Sequence, residues 1–359
     1  MLNHERLDVS VYSRTHSEKR GSYFTDVLKG CAMCCYLLCP PVPDEITRKL
    51  AFHPPKGTYT AYLPDDPDVQ IKSASKLVGK QFRIKPGQLT RCPYSDYEEI
   101  IRSVECFILR TTLGNLIVAV KCSPRTPGTE EKIKDMVVIF SQPNASDLGE
   151  YLQPFHMNIP MMAELLGTDV YAFDYSGYGL STGKPSEKNI YADIRSVYDF
   201  VIQTRRDKKI VLLGYSLGTA AVTDLAASNP ARVVGVVLVA PFTSGIRLFS
   251  NQPTRNESSK LDRFLIFEKV HRIKVPVLVC HGYRDDAIPV EHGLEIQRRA
   301  KRAVPPLILP EADHVSIFNG KFLHTYVRIR EFLANETGQP TSISSVTSDE
   351  GTGKTAKSE

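Results

Sequence analysis

Eight short runs rich in Val, Ile and Leu punctuate the chain, at residues 104–112, 116–122, 136–140, 169–175, 209–215, 233–240, 275–282 and 305–311. Most are apolar at nearly every position, a pattern expected of strands whose sheet is covered on both faces. Helical stretches lie between them, such as residues 187–205 behind Ser186, a plausible N-cap, and residues 217–228. This alternation predicts an α/β fold: an eight-stranded, mostly parallel sheet with helices on both faces. The first two runs flank Gly114-Asn115 and read as an antiparallel hairpin. Only 34 residues, Pro241 to Lys274, lie between the sixth run and the seventh, too few for a large lid domain.

The ends differ from the middle. Residues 1–30 are polar and aperiodic and residues 336–359 are rich in Ser, Thr and Gly, so both read as disordered tails around a catalytic domain at 61–335. A surplus of 45 basic over 40 acidic residues is too small to argue for nucleic acid as a partner. No run of eighteen apolar residues and no secretory leader is legible, which predicts a protein of the cytosolic side. Nothing in the pattern specifies an oligomeric state.

Chemistry enters at Gly214-Tyr215-Ser216-Leu217-Gly218, which follows an apolar run and opens a helical one, the setting of a nucleophile elbow. Such a turn is too tight for side chains at its flanks, so Gly214 and Gly218 leave Ser216 Oγ projecting. A serine hydroxyl needs a general base oriented by an acid, and in the α/β-hydrolase fold that this strand, elbow and helix predict, the order along the chain is Ser, acid, His. The seventh run ends in His281-Gly282-Tyr283-Arg284-Asp285-Asp286, and the eighth in Glu311-Ala312-Asp313-His314. Asp285 is the expected acid, with Asp286 as the alternative. His314 is the expected base, since it stands in the loop directly after the last run, whereas His324 falls in a helical or connecting segment. His281 sits at a strand end and reads as a residue that shapes the turn. Two backbone donors must hold the oxyanion: Leu217, after the nucleophile, and Asn144, in the loop after the third run, where Pro143 has no N–H to give. No cofactor is required and no metal is implied.

Four of the eight cysteines, Cys31, Cys34, Cys35 and Cys39, crowd into nine positions. On a short helix the first three would share a face with Leu38. The segment cannot span a bilayer. Two or more thioester-linked acyl chains would anchor it, at about 0.8 kcal/mol per buried methylene, which makes residues 31–60 a candidate membrane-anchoring segment. Half a zinc site or packed free thiols are the alternatives, though no second Cys or His pair lies nearby. Lys72, Lys76, Lys80, Arg83, Lys85 and Arg91 follow without an acidic residue among them, a patch for anionic headgroups or a solvated basic loop. Met1-Leu2 lacks the glycine that N-myristoylation requires.

Three stretches carry a more specific likeness: Asn144-Ala145-Ser146-Asp147-Leu148-Gly149, Phe173 to Glu187 (FDYSGYGLSTGKPSE), and Ala240 to Arg247 (APFTSGIR). With the cysteine cluster, Pro40-Pro41 and Lys49 to Pro55 (KLAFHPP), the chain resembles the alpha/beta-hydrolase domain-containing protein 17 subfamily over roughly residues 31 to 335. The resemblance implies a palmitoyl-protein thioesterase with Ser216, Asp285 and His314 as its triad. It also implies S-palmitoylated membrane proteins as substrates, acylated cysteines, and a place on the cytoplasmic face of the plasma membrane or endosomes. Gln142-Pro143 stands where the subfamily usually has His-Gly, and Asp313 where it has a small residue. The competing readings are a lysophospholipid or monoacylglycerol esterase with the same chemistry, and a catalytically silent, membrane-anchored interaction protein.

Overall fold

All eight predicted runs become strands of one sheet. The structure, a computed structural model, describes residues 48, 51–87, 97–125, 131–154 and 157–338. The chain divides into two compact units, Met1–Ala51 and Phe52–Glu359, and the second carries both β-sheets and the helices around them. The cysteine cluster, Arg91 and the predicted amino-terminal tail lie outside the described residues.

The strands are β1 (Tyr59–Leu63), β2 (Asp66–Ile71), β3 (Arg83–Pro86), β4 (Glu105–Arg110), β5 (Leu116–Cys122), β6 (Met136–Ser141), β7 (Asp169–Phe173), β8 (Lys209–Tyr215), β9 (Val233–Val239), β10 (Val277–Gly282) and β11 (Leu307–Leu309). The helices are α1 (Tyr97–Ser103), α2 (Glu131–Lys134), α3 (Ile159–Leu166), α4 (Glu187–Thr204), α5 (Gly218–Ala227), α6 (Gly245–Phe249), α7 (Ile266–Lys269), α8 (Val290–Arg299) and α9 (His324–Glu331). The main sheet runs β11-β10-β9-β8-β6-β7-β5-β4. β4 and β5 form the expected antiparallel hairpin, β5 is also antiparallel to β7, and the remaining pairs are parallel.

Strand order fixes where a site can form. β6 lies between β7 and β8, so the chain leaves β6 toward one side of the sheet and leaves β8 toward the other. The loops after these two strands therefore part at their carboxyl ends, where open α/β sheets hold their ligands. β6, β8, β9 and β10 are buried almost throughout, which accounts for their uninterrupted apolar sequences. α4 begins where expected, with Ser186 Oγ accepting from Asn189 N at 3.1 Å, a cap worth about 1 kcal/mol. Its Ile190, Ile194, Val197 and Val201 recur at helical spacing and are buried.

The first three strands form a separate antiparallel sheet, β2-β1-β3, which no apolar run in the sequence announces. Tyr59, Ala61, Ile71 and Ile84 turn inward, while the rest of β2 is exposed. β1 straddles residue 60, so the ordered domain starts ahead of the expected boundary at 61. At the other end Gly338 N donates to Val234 O at 2.9 Å and Thr337 is buried, so order continues past 335. In the basic stretch Lys72, Lys76, Lys80 and Lys85 are exposed. Arg83 instead donates to Val104 O at 3.0 Å and ties β3 to the main domain.

Between β9 and β10 the chain forms only α6, α7, one 3₁₀ turn at Val270–Arg272 and connecting loops, so there is no large lid. Arg247, 1% exposed, pins this segment. Its guanidinium pairs with Asp262 at 3.5 Å, donates to Ser258 Oγ at 2.7 Å and lies 4.0 Å from the Phe267 ring centroid. Removing one partner of such a buried pair costs about 3–5 kcal/mol.

Candidate active site

The turn after β8 is as sharp as its sequence demands. Ser216 has φ +52°, and its N–H is held by Val239 O at 2.9 Å. A Cβ at Gly218 would overlap Ser141 O, and one at Gly214 would meet Gly218 O at 2.6 Å. Both glycines are thus required by close approach, and the approach brings the start of α5 against the end of β6. The Leu217 N–H heads α5, among the first amides of a helix that find no carbonyl within it. It is therefore on hand beside Ser216.

The loops after β10 and β11 meet in the same way. A Cβ at Gly282 would overlap Ala312 O, and Arg284 N donates to that same carbonyl at 2.9 Å. His314 Nε2 then lies 3.1 Å from Ser216 Oγ, and His314 Nδ1 lies 2.8 Å from Asp285 Oδ2. The three residues named from sequence come from three separate loops and form one continuous hydrogen-bonded row. Asp286, by contrast, is exposed.

Asp285 is 5% exposed and fully engaged. Oδ1 accepts from Ala287 N at 3.0 Å and Ile288 N at 2.7 Å, and Oδ2 faces both His314 and, at 3.3 Å, His281 Nε2. Burial alone would raise its carboxyl. The bonds from His281 and His314, with that from Ile288, outweigh burial and hold it well below the ordinary carboxylate range. It is an anion at neutral pH, suited to fix the His314 Nδ1–H tautomer.

Two features of the His314 loop carry no local sign of their role. Tyr215, between the elbow glycine and the serine, donates its phenol to His314 O at 2.6 Å, and its ring lies 5.6 Å from the imidazole. Asp313 folds back on its own loop, accepting from Val315 N at 3.0 Å, Ser316 N at 2.7 Å and Ser316 Oγ at 2.8 Å. It builds the loop that presents the base.

The loop after β6 is braced from below. Asn144 Oδ1 accepts from His53 N at 3.0 Å, Ala145 N at 3.0 Å and Tyr178 Oη at 2.7 Å. Gln142 is buried, and its Nε2 donates to Ser146 O and to Asp174 Oδ1, each at 3.1 Å. Asp174 also accepts from Leu148 N at 2.8 Å and Tyr59 Oη at 2.5 Å. Its burial, then the neighbouring Asp147, raise it to about 7. Thr58 in turn donates its N–H, at 2.9 Å, and its hydroxyl to Asp147. Thr58, just ahead of the small sheet, and Tyr59, its first residue, therefore brace the loop that carries Asn144, and Gln142 contributes through Asp174.

Ser216 itself is 9% exposed, and Val315 beside His314 is 60% exposed, which leaves apolar surface next to the base. Among the described residues no cluster of His, Cys, Asp and Glu is arranged as for a metal, and no helix is long and apolar enough to cross a membrane.

A protein-family model described as serine aminopeptidase, S33, matches residues 159–264. Alpha/beta hydrolase domain-containing protein 17B of Homo sapiens is 33% identical over 310 residues, spanning 85% of this chain and 96% of that protein. Alpha/beta hydrolase domain-containing protein aho-3 of Caenorhabditis elegans is 34% identical over 312 residues, spanning 85% and 82%. Among solved structures, the Pyrococcus furiosus esterase Pf2001 superposes with a TM-score of 0.52 at 18% identity, over 68% of this chain and 95% of that one. That likeness is one of fold.

Proposed function

The chain belongs to the alpha/beta hydrolase domain-containing protein 17 family, and from that membership we propose that it is a serine hydrolase that removes S-linked palmitate from membrane proteins. The observation that carries the chemistry is the row from Ser216 Oγ through His314 to Asp285, at 3.1 and 2.8 Å. Ser216 Oγ attacks the thioester carbonyl as His314 Nε2 takes its proton. The tetrahedral oxyanion is held by the Leu217 and Asn144 N–H groups. Collapse breaks the C–S bond, and His314 returns the proton to the departing cysteine sulfur. Water, deprotonated by His314, then attacks the acyl-enzyme and releases palmitate and free Ser216.

A thiolate leaves far more readily than an alkoxide, so activation of Ser216 and the oxyanion donors are the main demands on the protein. The choice between thioester and oxygen ester is tested with an S-palmitoyl peptide and its serine-ester analogue. The expected result is a kcat/KM at least tenfold higher for the thioester, abolished for both by loss of Ser216. Preference for the oxygen ester, or for lysophospholipid, would assign the lipid-esterase reading. No turnover of either by a folded protein would favour the silent interaction protein.

We assign the chain to the cytoplasmic face of plasma membrane or endosomes through acylation at Cys31, Cys34, Cys35 and Cys39. Two palmitoyl chains bury roughly 28 methylenes, enough at about 0.8 kcal/mol each for stable attachment. Changing all four cysteines to serine should move most of the protein from the membrane pellet to the soluble fraction. Retention in the pellet would sink the acyl tether.

A further inference from the structure

His281, next to last in β10, has none of its surface exposed, and its neighbours separate it from a residue that merely fills space. Nε2 lies 2.8 Å from Ile288 O and 3.3 Å from Asp285 Oδ2. Both are acceptors only, so the ring proton resides on Nε2 and is shared between them. The other nitrogen, Nδ1, is buried with no hydrogen-bond partner among the described residues, against Gly293 of α8, where any side chain would overlap it. A leucine would fill this site without burying an unsatisfied acceptor, so packing alone does not account for an imidazole here.

We propose that His281 is a positioning residue for the acid: its Nε2–H fixes the Asp285 carboxylate and, by drawing charge from Oδ2, sets how strongly that carboxylate holds a proton on His314. The proposal rests on the serine-hydrolase reading and deepens it. Ala287 and Ile288 fix Oδ1, His314 and His281 share Oδ2, and the bond to Ile288 O closes the loop in which the acid sits. Without His281, Oδ2 carries more negative charge toward His314, and the imidazolium persists to higher pH.

The charged and titratable groups around the pair support this direction. His292 of α8 lies near His281; its Nδ1 accepts from Thr243 N at 3.2 Å, and burial above all lowers it to about 4, leaving it neutral. Asp313 is turned into its own loop, and Tyr215 contacts His314 through its ring and phenol. Arg284 and Glu311 pair with each other at 2.7 Å, largely in solvent, and Asp286 is exposed. None of these replaces the donor that His281 supplies.

The experiment is the rate of Ser216 labelling by a fluorophosphonate as a function of pH, on the full chain, for wild type, His281→Leu, His281→Asn and His281→Gln. Glutamine places an amide N–H near the Nε2 position, while asparagine reaches only the Nδ1 position. Leu and Asn variants are expected to label about tenfold more slowly at neutral pH, as expected of a misplaced catalytic group. The midpoint of their acid limb should move upward by about half a pH unit. Gln should restore the wild-type midpoint. A purely structural role would lower the melting temperature of all three and leave the midpoint of the folded fraction unmoved. Should Leu fail to fold, Asn carries the comparison. Unshifted midpoints in a labelling protein overturn the role of His281 alone, whereas a wild type that does not label overturns the hydrolase reading and this proposal with it.

Discussion

Ser216→Ala is expected to lower kcat on an S-palmitoyl peptide by about 10⁴–10⁶-fold, the range seen when a triad nucleophile is removed. The expectation follows from the single position of Oγ. It is 3.1 Å from the imidazole at a turn whose flanks admit no other side chain, so a replacement nucleophile has no route in. The loss should fall on kcat, because alanine leaves the backbone of the turn and the surface around it in place. It should not be a folding effect. The strained φ of +52° burdens serine and alanine alike, and the bond from residue 216 N to Val239 O is a backbone bond that survives. Burst kinetics and fluorophosphonate labelling check this, with circular dichroism as the control for folding. A variant retaining a tenth of wild-type turnover would sink the role given to this hydroxyl.

Asp285→Asn should lower kcat by about 10⁴-fold, since it inverts hydrogen-bond polarity without changing shape. If the new amide keeps its oxygen toward Ala287 N and Ile288 N, its NH₂ faces His314 Nδ1 and His281 Nε2. His314 then accepts at Nδ1 and carries its proton on Nε2, the nitrogen that must receive the serine proton. The pH dependence of stability separates this from a general loss of structure. The native Asp285 carboxyl is held well below its unfolded value, so its contribution is complete above the ordinary carboxylate range. It is lost as pH falls from about 4 toward the lowered native value. The wild type should therefore lose stability over that interval more steeply than the asparagine variant, as read from denaturant midpoints at a series of pH values. Equal slopes would mean that the carboxylate is not held as described.

Legibility in the sequence depends on burial. β6, β8, β9 and β10 are covered on both faces and betray themselves residue by residue. β2, by contrast, reads Asp-Pro-Asp-Val-Gln-Ile with only Ile71 buried, and nothing in it marks a strand. Its sheet exists because β1 lends it Tyr59 and Ala61, too short a pattern to read alone. The positions of Ser216, Asp285 and His314 are legible because each follows a readable strand. Side-chain bonds to distant residues are not. Gln142 reaches Asp174, 32 positions on, and Tyr215 reaches His314 O, 99 positions on, with no local periodicity to announce either bond. His281 reads from sequence as shaping its turn, and its bond to Ile288 O agrees; its approach to Asp285 depends on how that turn closes.

The small sheet has a consequence for how far the chain can be shortened. Eight strands suffice to draw the hydrolase outline, yet Asp147 in the loop after β6 and Asp174 after β7 are both buried and accept from Thr58 and Tyr59. A protein trimmed to that outline would keep its nucleophile and strand order while two interior carboxylates lost the hydroxyls that make their burial tolerable. The stretch that looks most like a dispensable leader is in effect a keystone, set under the arch that carries Asn144.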